Sequence, residues 1–139
     1  MSFPSPKEFY DRYMNDPEAA RRAAYDIGGE LGAFFIEKLG VKESNLEAVA
    51  VVLNEFQRTV QGDPNAAVEG GRVTMRCTGF CPIMRTALTL NLPWEWLDIN
   101  LAWPMIRGIV SKVKPGISLT LPLAKSRGDP ACIYVFEEG

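Results

Sequence analysis

Up to residue 62 the apolar side chains recur every third or fourth position, and from Asp63 onward a period of two appears. A chain that changes period in this way builds helices first and strands later. Ser5-Pro6-Lys7-Glu8 reads as a capping box with proline in the first turn, opening a short helix with Phe9, Tyr10, Tyr13 and Met14. Asp16-Pro17-Glu18 restarts a longer helix whose stripe is Ala20, Ala24, Ile27, Leu31, Phe34, Phe35 and Leu39, and Gly40 stops it. Ser44-Asn45-Leu46-Glu47 reads as a second capping box. The helix behind it carries Leu46, Val49, Ala50, Leu53, Phe56 and Val60 and ends at Gly62.

Beyond Asp63, segments 66–68 and 72–77 flank Glu69-Gly70-Gly71, the signal of a β-hairpin. Pro82 opens a short helix to about Leu90. Asn91-Leu92-Pro93 starts another, carrying Trp94, Leu97, Leu101, Ile106, Ile109, Val110 and Val113, in which Pro104 predicts a kink or break after Trp103. Ile117, Leu119, Leu121 and Leu123 alternate strictly. A polar turn over 125–130 and a β-rich segment over 131–136 complete a second hairpin. Strands grouped in hairpins predict an antiparallel sheet covered on one face by helices, an α+β fold. With 139 residues the chain is one domain, helical over 1–62 and hairpin, helix, hairpin over 63–139.

The sequence contains no histidine, which removes Ser-His and Cys-His nucleophile pairs and His-based metal sites. An enzyme built on this chain has to work with carboxylates, Cys, Lys, Arg or Tyr. Three cysteines, an odd number, do not form a disulfide framework. The net charge of −2 is too balanced for a nucleic-acid binder. No apolar run approaches the roughly 20 residues of a membrane span. The first eight residues show no basic stretch leading into an apolar core, so the expected location is cytoplasmic.

Three groups of residues are candidates for chemistry. Cys77 and Cys81 bracket a strand end and a helix start, and Cys132 opens the last strand. Paired hairpins would bring all three together. Cys81 precedes a helix N-terminus, where the dipole favours a thiolate nucleophile or ligand. The competing reading is core packing, since cysteine behaves as a small hydrophobe. Trp94, Trp96 and Trp103, with Phe80, Met84 and Met105, surround Pro104 and could line an apolar pocket at a broken helix, or simply fill the core. Arg76, Arg85 and Arg107 could hold a ligand carboxylate, or serve as surface charges. Gly28-Gly29 inside the long helix predicts close packing against another helix, in this chain or in a dimer partner.

Cys81-Pro82-Ile83 entering a helix, Lys114-Pro115-Gly116 before a strand, and Gly128-Asp129-Pro130-Ala131-Cys132 leading to Phe136 form one pattern. It resembles the 4-vinyl-reductase or hydrocarbon-binding domain family and the related L-2-amino-thiazoline-4-carboxylic acid hydrolase-like family, both similar in element order to the small subunits of the TRAPP vesicle-tethering complex. The resemblance covers residues 66–138. It implies a dimer formed through N-terminal helices and a small ligand held between sheet and helices. In the hydrocarbon-binding branch the final cysteine is a zinc ligand, with a Glu and a second Cys on the preceding strand. Residues 119–124 contain neither, so no metal and no other cofactor is expected. The resulting expectation is a domain that binds or senses an apolar or aromatic carboxylate, acting as a homodimer without nucleic-acid or membrane partners. The alternative is a cysteine-dependent hydrolase of a small C–N heterocycle with Cys81 as nucleophile.

Overall fold

The computed structural model describes residues 5–60, 62–77 and 82–138. Helices α1 (Pro6–Tyr13), α2 (Pro17–Leu39) and α3 (Leu46–Thr59) come first. Strands β1 (Ala67–Glu69) and β2 (Arg72–Cys77) follow, then α4 (Pro82–Leu90), α5 (Trp94–Leu97), a π-helical turn (Asp98–Ala102) and α6 (Trp103–Val113). Strand β3 (Ile117–Leu123), a 3₁₀ turn (Lys125–Arg127) and β4 (Cys132–Glu138) end the chain. This is the α+β class that the change of period predicts.

The helix starts follow the capping signals in two of three cases. Ser5 accepts from Glu8 N–H, and Asp16 accepts from Ala19 N–H at 3.1 Å. At α3 the cap is Asn45 rather than Ser44: Asn45 Oδ1 accepts from Ala48 N–H at 2.9 Å. Ser44 Oγ instead donates to the carbonyl of Val113, tying the start of α3 to the end of α6 at 2.8 Å. The helix also stops before Gly62, at Thr59, and the Gly62 N–H folds back to the Gln57 carbonyl.

The sheet is open, four-stranded and antiparallel, in the order β1-β2-β4-β3. Gly70 and Gly71 both take positive φ, 59° and 76°, which is what a two-residue hairpin turn between β1 and β2 demands. The two hairpins join through β2 and β4, with Val73 opposite Phe136, Met75 opposite Tyr134 and Cys77 opposite Cys132. These side chains share the face turned to the helices, and all but Cys77 are buried there. Pro122 lies at an irregularity of β3, an edge strand, where a missing N–H costs no ladder bond.

The central helical contact is between α2 and α6, and glycine sets its spacing. A Cβ on Gly28 would stand 2.0 Å from the Met105 carbonyl oxygen, and one on Gly108 would stand 2.1 Å from that of Tyr25. The two backbones touch, and only glycine fits there. Gly28 therefore owes its place to α6 of the same chain, whereas a Cβ on Gly29 would meet nothing within 4 Å, and Gly28 gives no argument for a dimer.

Pro104 does not break the helix. Without an N–H it cannot donate to the carbonyl of residue 100, and its ring would clash with that group in a regular α-helix. The chain widens by one residue instead: the Trp103 N–H donates to the Asp98 carbonyl, closing a π turn ahead of the proline. Asn100, only 4% exposed, secures the turn, its amide nitrogen donating to the Trp96 carbonyl and its oxygen accepting from Arg21. No helix among the described residues is long and apolar enough to cross a membrane.

Candidate functional site

Between the inner face of the sheet and the helices lies a cavity of about 290 Å³. Its walls come from separate parts of the chain. The C-terminal half of α3 supplies Phe56, Gln57 and Val60; the sheet supplies Met75, Cys77 and Tyr134. Helix α4 supplies Ile83 and Thr86, and the π turn with α6 supplies Asp98, Leu101, Ala102, Met105 and Ile106. The lining is overwhelmingly apolar. It contains one carboxylate, Asp98, and neither lysine nor arginine among the described residues.

Asp98 is only 3% exposed, and its Oδ2 is sealed from water without a hydrogen-bond partner. Burial pushes its carboxyl up to about 6, because the charged form loses its hydration. The Ser126 hydroxyl and the Arg127 guanidinium pull the other way, and Glu95 adds a smaller push upward. Ser126 is thus close enough to influence the carboxylate, yet its Oγ makes no well-formed hydrogen bond either. Asp98 Oδ2 is an unsatisfied acceptor. Asp98, Leu101 and Ala102, three and four positions apart along the helical run, face the cavity together.

Gln57 is the second buried polar group of the wall, 2% exposed. Its Oε1 accepts from Asn65 N–H at 3.1 Å, fixing the amide orientation, while Nε2 points at Cys77 Sγ, 3.9 Å away. Cys132 sits directly across the ladder from Cys77, and both are thiols. Cys132 Sγ accepts from Lys125 N–H at 3.3 Å. The Gly128-Asp129-Pro130-Ala131-Cys132 segment is accordingly a turn-building unit. Gly128 takes φ +97°, Asp129 Oδ2 accepts from Ala124 N–H at 2.9 Å, and Cys132 closes the far side.

Of the residues nominated from the sequence, Cys77 and Met105 line the cavity. Phe80 and Cys81 lie outside the described residues, so the meeting of three cysteines reduces here to the Cys77 and Cys132 pair. Met84, Trp94, Trp96 and Trp103 are half-buried but do not line the cavity. Because the helix is continuous, there is no gap at Pro104 for them to surround. Trp96 packs edge-on against Tyr10 and Phe9, pinning α1 to α5, and Arg127 lies over the Trp103 ring at 5.9 Å. Arg76, Arg85 and Arg107 are exposed and contribute nothing to the wall. Among the described residues no three His, Cys, Asp or Glu side chains gather as a metal site. The strand beside Cys132 offers Leu121 and Leu123 rather than donors, a set that does not suit zinc.

Asp98 and Gln57 were the residues to find. Each is a polar side chain set into an otherwise apolar helical stripe, Asp98 among Leu97, Leu101 and Met105, and Gln57 among Leu53, Phe56 and Val60. That interruption is the signal a sequence offers for a polar group facing a core cavity.

Compared with known proteins, this chain matches no family model, no curated protein and no solved structure. The resemblance drawn from its motifs thus stands on those residues alone.

Proposed function

We propose that this chain is a small-molecule binding domain that takes an apolar ligand between its sheet and its helices. The observation that carries the reading is the cavity itself. Well-packed cores leave few voids larger than a water molecule, whereas this one holds about 290 Å³ and is lined by Met75, Met105, Ile83 and Ile106. Thioether side chains adapt to the shape of an apolar guest. The location matches what the resemblance to hydrocarbon-binding domains implies. The exposed Arg76, Arg85 and Arg107 give no support to a ligand carboxylate in this cavity. The hydrolase alternative turns on Cys81, and no described geometry favours it. The dimer implied by the resemblance is retained as part of the proposal, and sedimentation velocity tests it against the 15.4 kDa of a single chain.

Two measurements test the binding reading. Native mass spectrometry of gently purified protein is expected to show a co-purified small molecule, and butylbenzene is expected to bind once per chain. Ala102→Leu, which places three further carbons at the cavity wall, and Thr86→Phe on α4 should each abolish butylbenzene binding while the protein stays folded. A clean apo mass together with no butylbenzene binding to the unsubstituted protein overturns the proposal.

A further inference from the structure

We propose that the ligand of this cavity is an apolar amine, held at one end by the Asp98 carboxylate. The inference rests on the reading of the cavity as a ligand site and adds the chemistry of the ligand's polar end. Buried polar atoms in folded proteins are nearly always hydrogen-bonded, so an orphaned carboxylate oxygen calls for an explanation. Asp98 is 3% exposed, belongs to the cavity wall, and has an Oδ2 without a partner. The terminal torsion of an aspartate is broad, so a small rotation presents either carboxylate oxygen to the cavity.

The surrounding charges favour a cation over an anion. No lysine or arginine occurs in the described lining, so a carboxylate guest would meet Asp98 with nothing to neutralise it. Arg127, whose charge acts on Asp98, is itself engaged elsewhere: its Nη2 donates to the Leu121 carbonyl at 2.6 Å and its guanidinium covers Trp103. Glu95, on the preceding turn, adds negative potential. Across the cavity stand Cys77 and Tyr134, neither of which offers a cationic group to an anion. Three other side-chain atoms are also buried without partners: Trp94 Nε1, Trp103 Nε1 and Ser126 Oγ. All belong to residues outside the cavity lining, so Asp98 is the group a guest in the cavity reaches first. A charge-assisted hydrogen bond in an apolar setting is the strongest polar contact available there.

The pH dependence follows with a definite sign. Amine binding needs the ionised carboxylate, and the carboxyl of the unliganded protein sits at about 6. Affinity should rise with pH up to that point and level off above it, since an alkylamine stays protonated throughout.

The test uses four probes on one skeleton: butylbenzene, phenylbutanol, phenylbutylamine and phenylbutanoate, titrated into the full chain by calorimetry. The expected result near pH 8 is that the amine binds at least about tenfold more tightly than butylbenzene, with the butanoate weakest. At about pH 5, where roughly one Asp98 in ten is ionised, the amine's affinity should fall about tenfold. Asp98→Asn should erase the amine's advantage over butylbenzene. Carbon-detected NMR titration of the Asp98 carboxyl in the unsubstituted protein gives a readout that needs no variant: saturating amine should move its midpoint well below about 6. If butylbenzene binds but the amine, the alcohol and the butanoate rank otherwise, or the Asp98 midpoint does not fall, this inference is overturned while the cavity reading stands. If none of the four binds, both fall together.

Discussion

Replacing Asp98 with asparagine should stabilise the protein above neutral pH and leave it nearly unchanged in acid. The side chain keeps its size and one carbonyl oxygen, so the perturbation isolates the charge. Burial moves the Asp98 carboxyl from its ordinary 3.8 up to about 6. At about 1.4 kcal/mol for each tenfold change in acidity, that displacement corresponds to roughly 3 kcal/mol. The sign follows from linkage. The folded state holds its proton more tightly than the unfolded chain, so the contribution of this group is full below 3.8 and is lost as pH rises through about 6. The stability difference between Asp98→Asn and the parent, from urea unfolding at matched pH, should be near zero at about pH 4 and grow toward roughly 3 kcal/mol by about pH 8. Taking the difference cancels the other carboxylates. A difference that stays flat across this range would refute the burial argument, and a variant destabilised equally at all pH values would show that the Asp98 side chain holds the turn through contacts asparagine does not reproduce rather than through its charge.

Adjacent glycines in α2 should respond in opposite directions. Gly28→Ala forces a Cβ to 2.0 Å from the Met105 carbonyl and should cost about 1–3 kcal/mol or more, while Gly29→Ala meets nothing within 4 Å and should gain about 0.5–1 kcal/mol, both read by thermal unfolding. Equal effects at the two positions would mean that α6 is not the partner of this face. Asp129→Ala removes the acceptor for the N–H of Ala124, a fully buried residue, and should cost about 1–3 kcal/mol with no effect on butylbenzene affinity. Loss of binding in that variant would place the terminal turn in the ligand site.

The architecture was legible because local signals and tertiary demands agree along most of the chain. Ser5, Asp16 and Gly40 end helices where their side chains or backbone allow, and Gly70-Gly71 fixes the register of the first hairpin. Alternation in β2 and β3 places the inner face correctly, with Val73, Met75, Ile117 and Leu119 all buried. Ser44 misleads because its hydroxyl finds a better partner in Val113, 69 residues away in sequence though adjacent in the fold, which no local pattern encodes. Pro104 misleads for a different reason. A proline rule specifies that the α-helical ladder fails, but not whether the chain breaks or widens into a π turn, and here Arg21 and Asn100 stabilise the wider turn from another helix.

The candidate site was less legible than the fold. Aromatic richness around Pro104 drew attention to Trp94, Trp96 and Trp103, which bury large surfaces against neighbouring elements and leave the cavity to smaller side chains such as Ala102, Thr86 and Met75. A cavity exists where side chains are too small to fill it, so abundance of large residues points away from it. Cys77 and Cys132 illustrate the other half of the problem. Their pairing follows from the joining of two hairpins, and it could be anticipated once the strands were assigned.

Intermolecular nuclear Overhauser effects between butylbenzene and the protein's methyl groups test the central claim most directly. The account predicts contacts to the methyls of Met75, Ile83, Met105 and Ile106, which line the cavity, and none to the exposed Val51 or Leu88. Contacts confined to Val51, Leu88 and other surface methyls, with silence from the four cavity residues, would contradict it.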